Sequence, residues 1–264
     1  MPLKPQIPVT TEESDEALRF IRQMGIEYVS LMLKPEEITD KTVAAQQERL
    51  AEYSLQVSDA LCPALQKNKS IHLGYSDRDE QIERFLHLLR VLGKAHVPFT
   101  SIAWQPNGIL RTGYRAGENT RGGISSYVCQ EEILKRHNAE ERSYDETEIW
   151  NNFQYFLDSV IPVAEEVGVR LALHPNDPPL SCMAGIPSFI YNTDCYRKAF
   201  AMAHESPALR MKLCVGCWLE GGEAFGNIMA DIQEFCKKDK ILCIHFRNVD
   251  SPLPNFQETL AEDG

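Results

Sequence analysis

Helical and strand-like hydrophobic patterns alternate along nearly the whole chain, and this regularity restricts the fold more than any other feature. Ala17, Leu18, Ile21 and Met24 recur at helical spacing, Gly25 stops the turn, and the apolar run IEYVSLML follows. A helix over about 42–53 precedes VSDALC (57–62), and a stripe of Ile82, Phe85, Leu86, Leu89 and Leu92 precedes VPFTSIAW (97–104). A long helix carrying Ile149, Phe153, Phe156, Leu157, Val160, Ala164 and Val167 leads into VRLALH (169–174), with a kink expected at Pro162. Helices over 194–204 and around Phe225–Phe235 lead into LRMKLCV (209–215) and ILCIHF (241–246). This makes six strands, starting near Ile26, Val57, Val97, Val169, Leu209 and Ile241, with a weaker seventh at Leu3–Val9. Strands separated by helices pair in parallel through right-handed crossovers, in an open doubly wound sheet or a closed barrel. Neither GxGxxG nor GxxxxGK[ST] follows an early strand, which favours the barrel. The expected fold class is therefore α/β, a TIM-type (β/α)8 barrel formed as a single domain over 1–264, a length suited to it.

From Gln105 to about Ser143 the alternation lapses into a Gly-, Asn- and Arg-rich stretch, read as an insertion on one rim (105–143). Its five arginines make it either a lid over an anion or a solvated surface loop. The formal charge of −11 opposes a nucleic-acid partner, including the DNA groove of a repair nuclease, although a locally basic pocket remains compatible with an anionic small substrate. No run approaches the ~20 apolar residues of a membrane span, and the start MPLKPQIPVTTEESDE lacks a signal-peptide core. A cytoplasmic protein with no membrane partner is expected, with its eight cysteines mostly free, small buried hydrophobes.

In a βα barrel the strand C-termini converge on one face, so residues distant in sequence meet there. His174 closes VRLALH, Cys214 lies near the end of LRMKLCV, and His245 near the end of ILCIHF. Two imidazoles and a thiolate suit zinc, iron or manganese, with a carboxylate expected as fourth ligand. Each alone is more often a satisfied core residue; the case rests on three ligating types at three strand ends. Cys217 completes C-V-G-C with Cys214, a redox or zinc-ribbon half in form, but the pair is solitary and sits at a strand-to-loop junction. Arg247, two residues after His245, points to the same side and could hold a substrate carboxylate or pair with a neighbouring Asp. Asn176 and Asp177 could bind hydroxyls or make Asx turns before the prolines.

The segment NNFQYFLDSVIPVAEEVGVRLALHPNDPP, followed by GIP (185–187), LCVGC (213–217) and IHFRNV (244–249), resembles the D-mannonate dehydratases of the xylose-isomerase-like barrel superfamily. The likeness is close from about Asn151 to Val249, and PVAEEVGVRLALHPNDPP is its most specific part. It implies metal ligation by His174, Cys214 and His245, with Mn2+ or Fe2+ as cofactor. It also implies dehydration of a small sugar acid, D-mannonate, to 2-keto-3-deoxy-D-gluconate, a step of hexuronate catabolism. The ion polarises the carboxylate and C2 hydroxyl, the C2 proton is removed, and the C3 hydroxyl leaves with help from an acid. Arg247 would hold the carboxylate. The chain departs from the family where HPDDPP is HPNDPP, with Asn176 for a carboxylate, and where GLPR is GIPS, with Ser188 for arginine. The family continues to an eighth strand carrying Asp-His and then a tyrosine, which supply the fourth ligand and proton transfer. This chain stops at NFQETLAEDG, so these groups lie beyond Gly264, the last strand-helix unit is missing, and a fragment is expected. A sugar isomerase or epimerase of the superfamily and a non-catalytic sugar-acid binding homologue are the alternatives, and a homo-oligomer is compatible with either.

Overall fold

In the computed structural model, which describes residues 3–136, 140 and 142–263, seven parallel strands follow the alternation. They are β1 (Gln6–Thr10), β2 (Tyr28–Met32), β3 (Gln56–Leu61), β4 (Phe99–Ala103), β5 (Arg170–His174), β6 (Leu209–Cys214) and β7 (Ile241–His245). β1, β2 and β3 form one parallel ladder in that order, and β4, β5, β6 and β7 form a second. β3 runs beside β4 with no ladder between them, and among the described residues none joins β7 to β1. The weaker seventh strand is present as β1, beginning three residues after its expected start at Leu3. The helix Glu146–Val167 runs through Pro162 as one element and ends at Gly168, whose φ of 72° supplies the left-handed cap.

Side-chain parity sorts each strand into a face toward the helices and a face toward the lumen. On β6, Met211 and Leu213 are fully buried in the main core and alternate with the half-buried Arg210 and Lys212, and Cys214 at the strand end is fully buried as well. On β5, Leu171 and Leu173 join the core and leave Ala172 and His174 on the other face. The lumen consequently carries a polar layer one step below the strand ends. Lys212 Nζ donates to Ser101 Oγ at 3.4 Å, and Ser30 Oγ donates to the buried Asp59 Oδ2 at 2.8 Å. Burial raises the Asp59 carboxyl above its ordinary range, and it pushes the Cys243 thiol up to about 12.

The rim insertion is an ordered antiparallel structure. Strands Gly113–Ala116 and Ile124–Cys129 pair as a hairpin, and Ile124–Cys129 pairs in turn with Asn255–Thr259 from the C-terminal segment. Its His137, Asn138, Ala139 and Glu141 lie outside the described residues. A small satellite core of Val128, Ile133, Leu180, Met183, Val249 and Phe256 lies under this sheet and ties it to the strand ends. All eight cysteines are unpaired, and no helix among the described residues is long and apolar enough to cross a membrane.

Candidate metal centre

His174, Cys214 and His245 end three adjacent strands, β5, β6 and β7, and the register pairs Cys214 directly with His245. Their ligand atoms all lie within 4.8 Å of one another. His174 Nε2 is 3.3 Å from His245 Nδ1, and Cys214 Sγ is 3.5 Å from the same nitrogen. His174 Nδ1 lies 2.7 Å from the Pro175 carbonyl, so that nitrogen carries the proton and Nε2 offers its lone pair to the cluster. Burial pushes the Cys214 thiol up, but hydrogen bonding from Cys217 and the two imidazoles outweigh this and hold it well below its ordinary value. Cys214 is buried and His245 is exposed, which leaves the centre covered on one side and open on the other. This donor set fits a divalent first-row ion with room for an exogenous ligand.

Behind the cluster lies a buried charge network. Arg247 Nη2 donates to Asp177 Oδ2 at 3.0 Å, Nη1 donates to Glu258 Oε1 at 2.8 Å, and Nη1 also donates to Glu220. The same Nη2 lies 3.5 Å from Cys217 Sγ and 3.7 Å from Cys214 Sγ. Arg111, from the insertion, takes Asp177 in a fork at 2.6 and 3.1 Å and reaches Glu258 at 2.7 Å. Burial works against the Asp177 charge, but Arg247 and Arg111 together hold its carboxyl below the usual range. Glu220 goes the other way: burial and the charge of Asp177 raise it well above its ordinary value despite Arg247, and its Oε2 has no partner. The network thus sets two guanidinium charges against Asp177 and Glu258, while burial and Asp177 favour the protonated form of Glu220. Asp177, Cys217 and Glu220 also approach within 4.8 Å of one another, but the two arginines already fill the place of a cation there.

The remaining expected binding residues are engaged within the protein. Asn176 Oδ1 accepts from the amides of Phe189 at 3.1 Å and Ile190 at 2.7 Å, and its Nδ2 donates to Trp104 O at 3.3 Å. It clasps the loop after β5 against the barrel mouth, where a second carboxylate could not accept and donate in this way. Arg247 and Asp177 spend their polar groups on the network, so the Asp-pairing alternative for Arg247 describes this geometry. The sequence reading missed Arg111, Glu220 and Glu258 individually; the arginine content of the insertion was the one available signal.

A family model described as D-mannonate dehydratase (UxuA) matches residues 127–264. A mannonate dehydratase of Streptococcus pneumoniae (strain 70585) is 26% identical over 223 residues, covering 75% of this chain and 60% of that protein. The chain thus spans about three-fifths of the length of the curated relatives it matches. The crystal structure of mannonate dehydratase from Streptococcus suis serotype 2 superposes with a TM-score of 0.86 at 20% identity, over 100% of this chain and 79% of that one. A xylose isomerase domain protein from Planctomyces limnophilus superposes at a TM-score of 0.57 and 12% identity, over 98% and 81%. These likenesses show an α/β fold with xylose-isomerase-like TIM-barrel neighbours.

Proposed function

Because the chain belongs to the D-mannonate dehydratase family, we propose that it is a hydro-lyase that converts D-mannonate to 2-keto-3-deoxy-D-gluconate at the His174–Cys214–His245 centre. The observation that carries this reading is the convergence of two imidazoles and a thiolate at three adjacent strand ends, beside an exposed face. The three side chains would hold Mn2+ or Fe2+, which when bound supplies Lewis-acid polarisation of a sugar acid's carboxylate and hydroxyl. The chain's own residues prepare the site for that ion. The Pro175 carbonyl fixes the His174 tautomer, and the Arg247 guanidinium, anchored by Asp177 and Glu258, stands against the sulfurs of Cys214 and Cys217. Arg247 acts here as a positioning residue that favours the thiolate form of Cys214. The proposed setting is the cytoplasm.

The test is incubation of the full-length protein, loaded with Mn2+ or Fe2+, with D-mannonate. Formation of a 2-keto-3-deoxy acid with loss of one water supports the reading. An interconverted sugar acid that keeps its hydroxyl, or binding with no turnover, overturns it.

A further inference from the structure

Among the described residues, Arg111, Arg247, Lys212 and Lys67 stand at or near the mouth of the barrel, and the first three have partners. Arg111 and Arg247 are bound to Asp177 and Glu258, and Lys212 donates to Ser101 in the lumen. The fourth, Lys67, lies between the short helices Pro63–Gln66 and Lys69–Leu73, in the segment that leaves the C-terminal end of β3. That end is the rim on which His174, Cys214 and His245 sit. Lys67 is half-buried, yet its ammonium makes no ion pair or side-chain hydrogen bond with any described residue. Its position after β3 puts it on the same rim, and the charges of Asp177, Lys212 and Arg111 act on it there. Asp177 supplies the negative charge that acts on Lys67, and both its oxygens are already taken by arginines.

The Lys67 ammonium is not one of the buried unpartnered atoms, so it stays open to solvent at the mouth, with no counter-ion among the described residues, and is available to an arriving anion. Partial burial lowers the Lys67 pKa, and the charge of Asp177 opposes that shift without reversing it. Recruiting Arg247 or Arg111 for a ligand would instead strip buried carboxylates of their partners. From this placement we propose that Lys67 is the receptor for the substrate's carboxylate, and that it selects sugar acids over neutral sugars at this centre. The proposal rests on the dehydratase reading for the identity of the sugar acid. It assigns the carboxylate to a residue that the sequence left unmarked and frees Arg247 for its structural partners.

The experiment measures binding of D-mannonate, and of neutral D-mannitol as a control, to the Mn2+-loaded chain by titration calorimetry, alongside KM and kcat. The variants are Lys67→Met, Lys67→Gln and Lys67→Arg. Loss of one charge-assisted contact predicts a rise of about 10- to 100-fold in Kd and KM for D-mannonate in the Met and Gln variants. D-mannitol binding and metal content should be unchanged, and Lys67→Arg should recover most of the affinity. Removing an uncompensated charge should also leave the Met variant at least as stable as the parent, which a structural role for Lys67 would not. If the parent binds D-mannonate and both neutral variants bind it equally well, the assignment of Lys67 is overturned while the dehydratase reading stands. If the metal-loaded parent binds no D-mannonate, the dehydratase reading falls and this proposal with it.

Discussion

Replacing Arg247 with methionine removes the side chain that, among the described residues, joins the buried carboxylates to the sulfurs of Cys214 and Cys217. The methionine fills much of the same volume, so the perturbation is mainly one of charge. In the parent, Arg247 and Arg111 balance Asp177 and Glu258, while burial favours the protonated form of Glu220. Without Arg247, one guanidinium faces two carboxylates, and the Asp177 side chain is only 3% exposed. Breaking a buried pair by deleting one partner costs about 3–5 kcal/mol. At about 2–4 °C per kcal/mol for a domain of this size, the melting temperature should fall by roughly 6–20 °C. The sign of the pH dependence follows from Asp177. Its folded pKa is depressed in the parent, so it contributes stability above its unfolded pKa, and that contribution is lost as pH falls through the folded value. In the variant Arg111 alone opposes burial and the depression is smaller, so the deficit should be greatest near pH 7 and shrink as pH falls through the carboxyl range around pH 4 and below. Urea unfolding of parent and variant at several pH values provides the assay. A deficit under about 1 kcal/mol at pH 7, or one that grows with acid, would refute the charge balance proposed for this network.

Two further perturbations probe the surroundings of the site. A Cβ on Gly216 would lie 2.6 Å from both Cζ and Nε of Arg247, whose head group is pinned by Asp177 and Glu258, so Gly216→Ala should cost about 1–3 kcal/mol in urea unfolding; a variant as stable as the parent would mean that the guanidinium is free to move aside. His72 is buried against Trp104 with ring centroids 4.3 Å apart, and burial lowers its pKa from 6.5 to about 3. Between those values only the unfolded chain takes the proton, so stability falls with pH, by about 2 kcal/mol from pH 7 to 5 for this one group. His72→Phe should flatten the unfolding profile by that amount, and an unchanged slope would contradict it.

The sequence made the parallel strands legible because each is a short apolar run bounded by helix and turn signals, and Tyr28, Gln56, Phe99, Arg170, Leu209 and Ile241 begin strands within two residues of their expected places. β1 was faint because only Val9 of its five residues is fully buried. The insertion was opaque for a different reason. Gly113–Ala116 is mostly exposed, and Ile124–Cys129 finds its second partner more than a hundred residues away in Asn255–Thr259, so no local pattern announces the sheet. His174, Cys214 and His245 could be placed on one rim because each terminates a strand. Arg111, Asp177, Glu220, Arg247 and Glu258 could not be grouped, since charges that balance in space carry no shared spacing along the chain. Lys67 escaped notice because what distinguishes it is an absent partner, which only coordinates can show.

Metal content tests the central claim most directly. The chain, purified, stripped and reloaded with Mn2+ or Fe2+, should retain about one ion per chain by elemental analysis. His174→Ala, Cys214→Ala and His245→Ala should each retain far less, and a cobalt-loaded parent should show a thiolate charge-transfer band that Cys214→Ala lacks. If all three variants hold as much metal as the parent, the three strand ends do not form the centre and the account built on them fails.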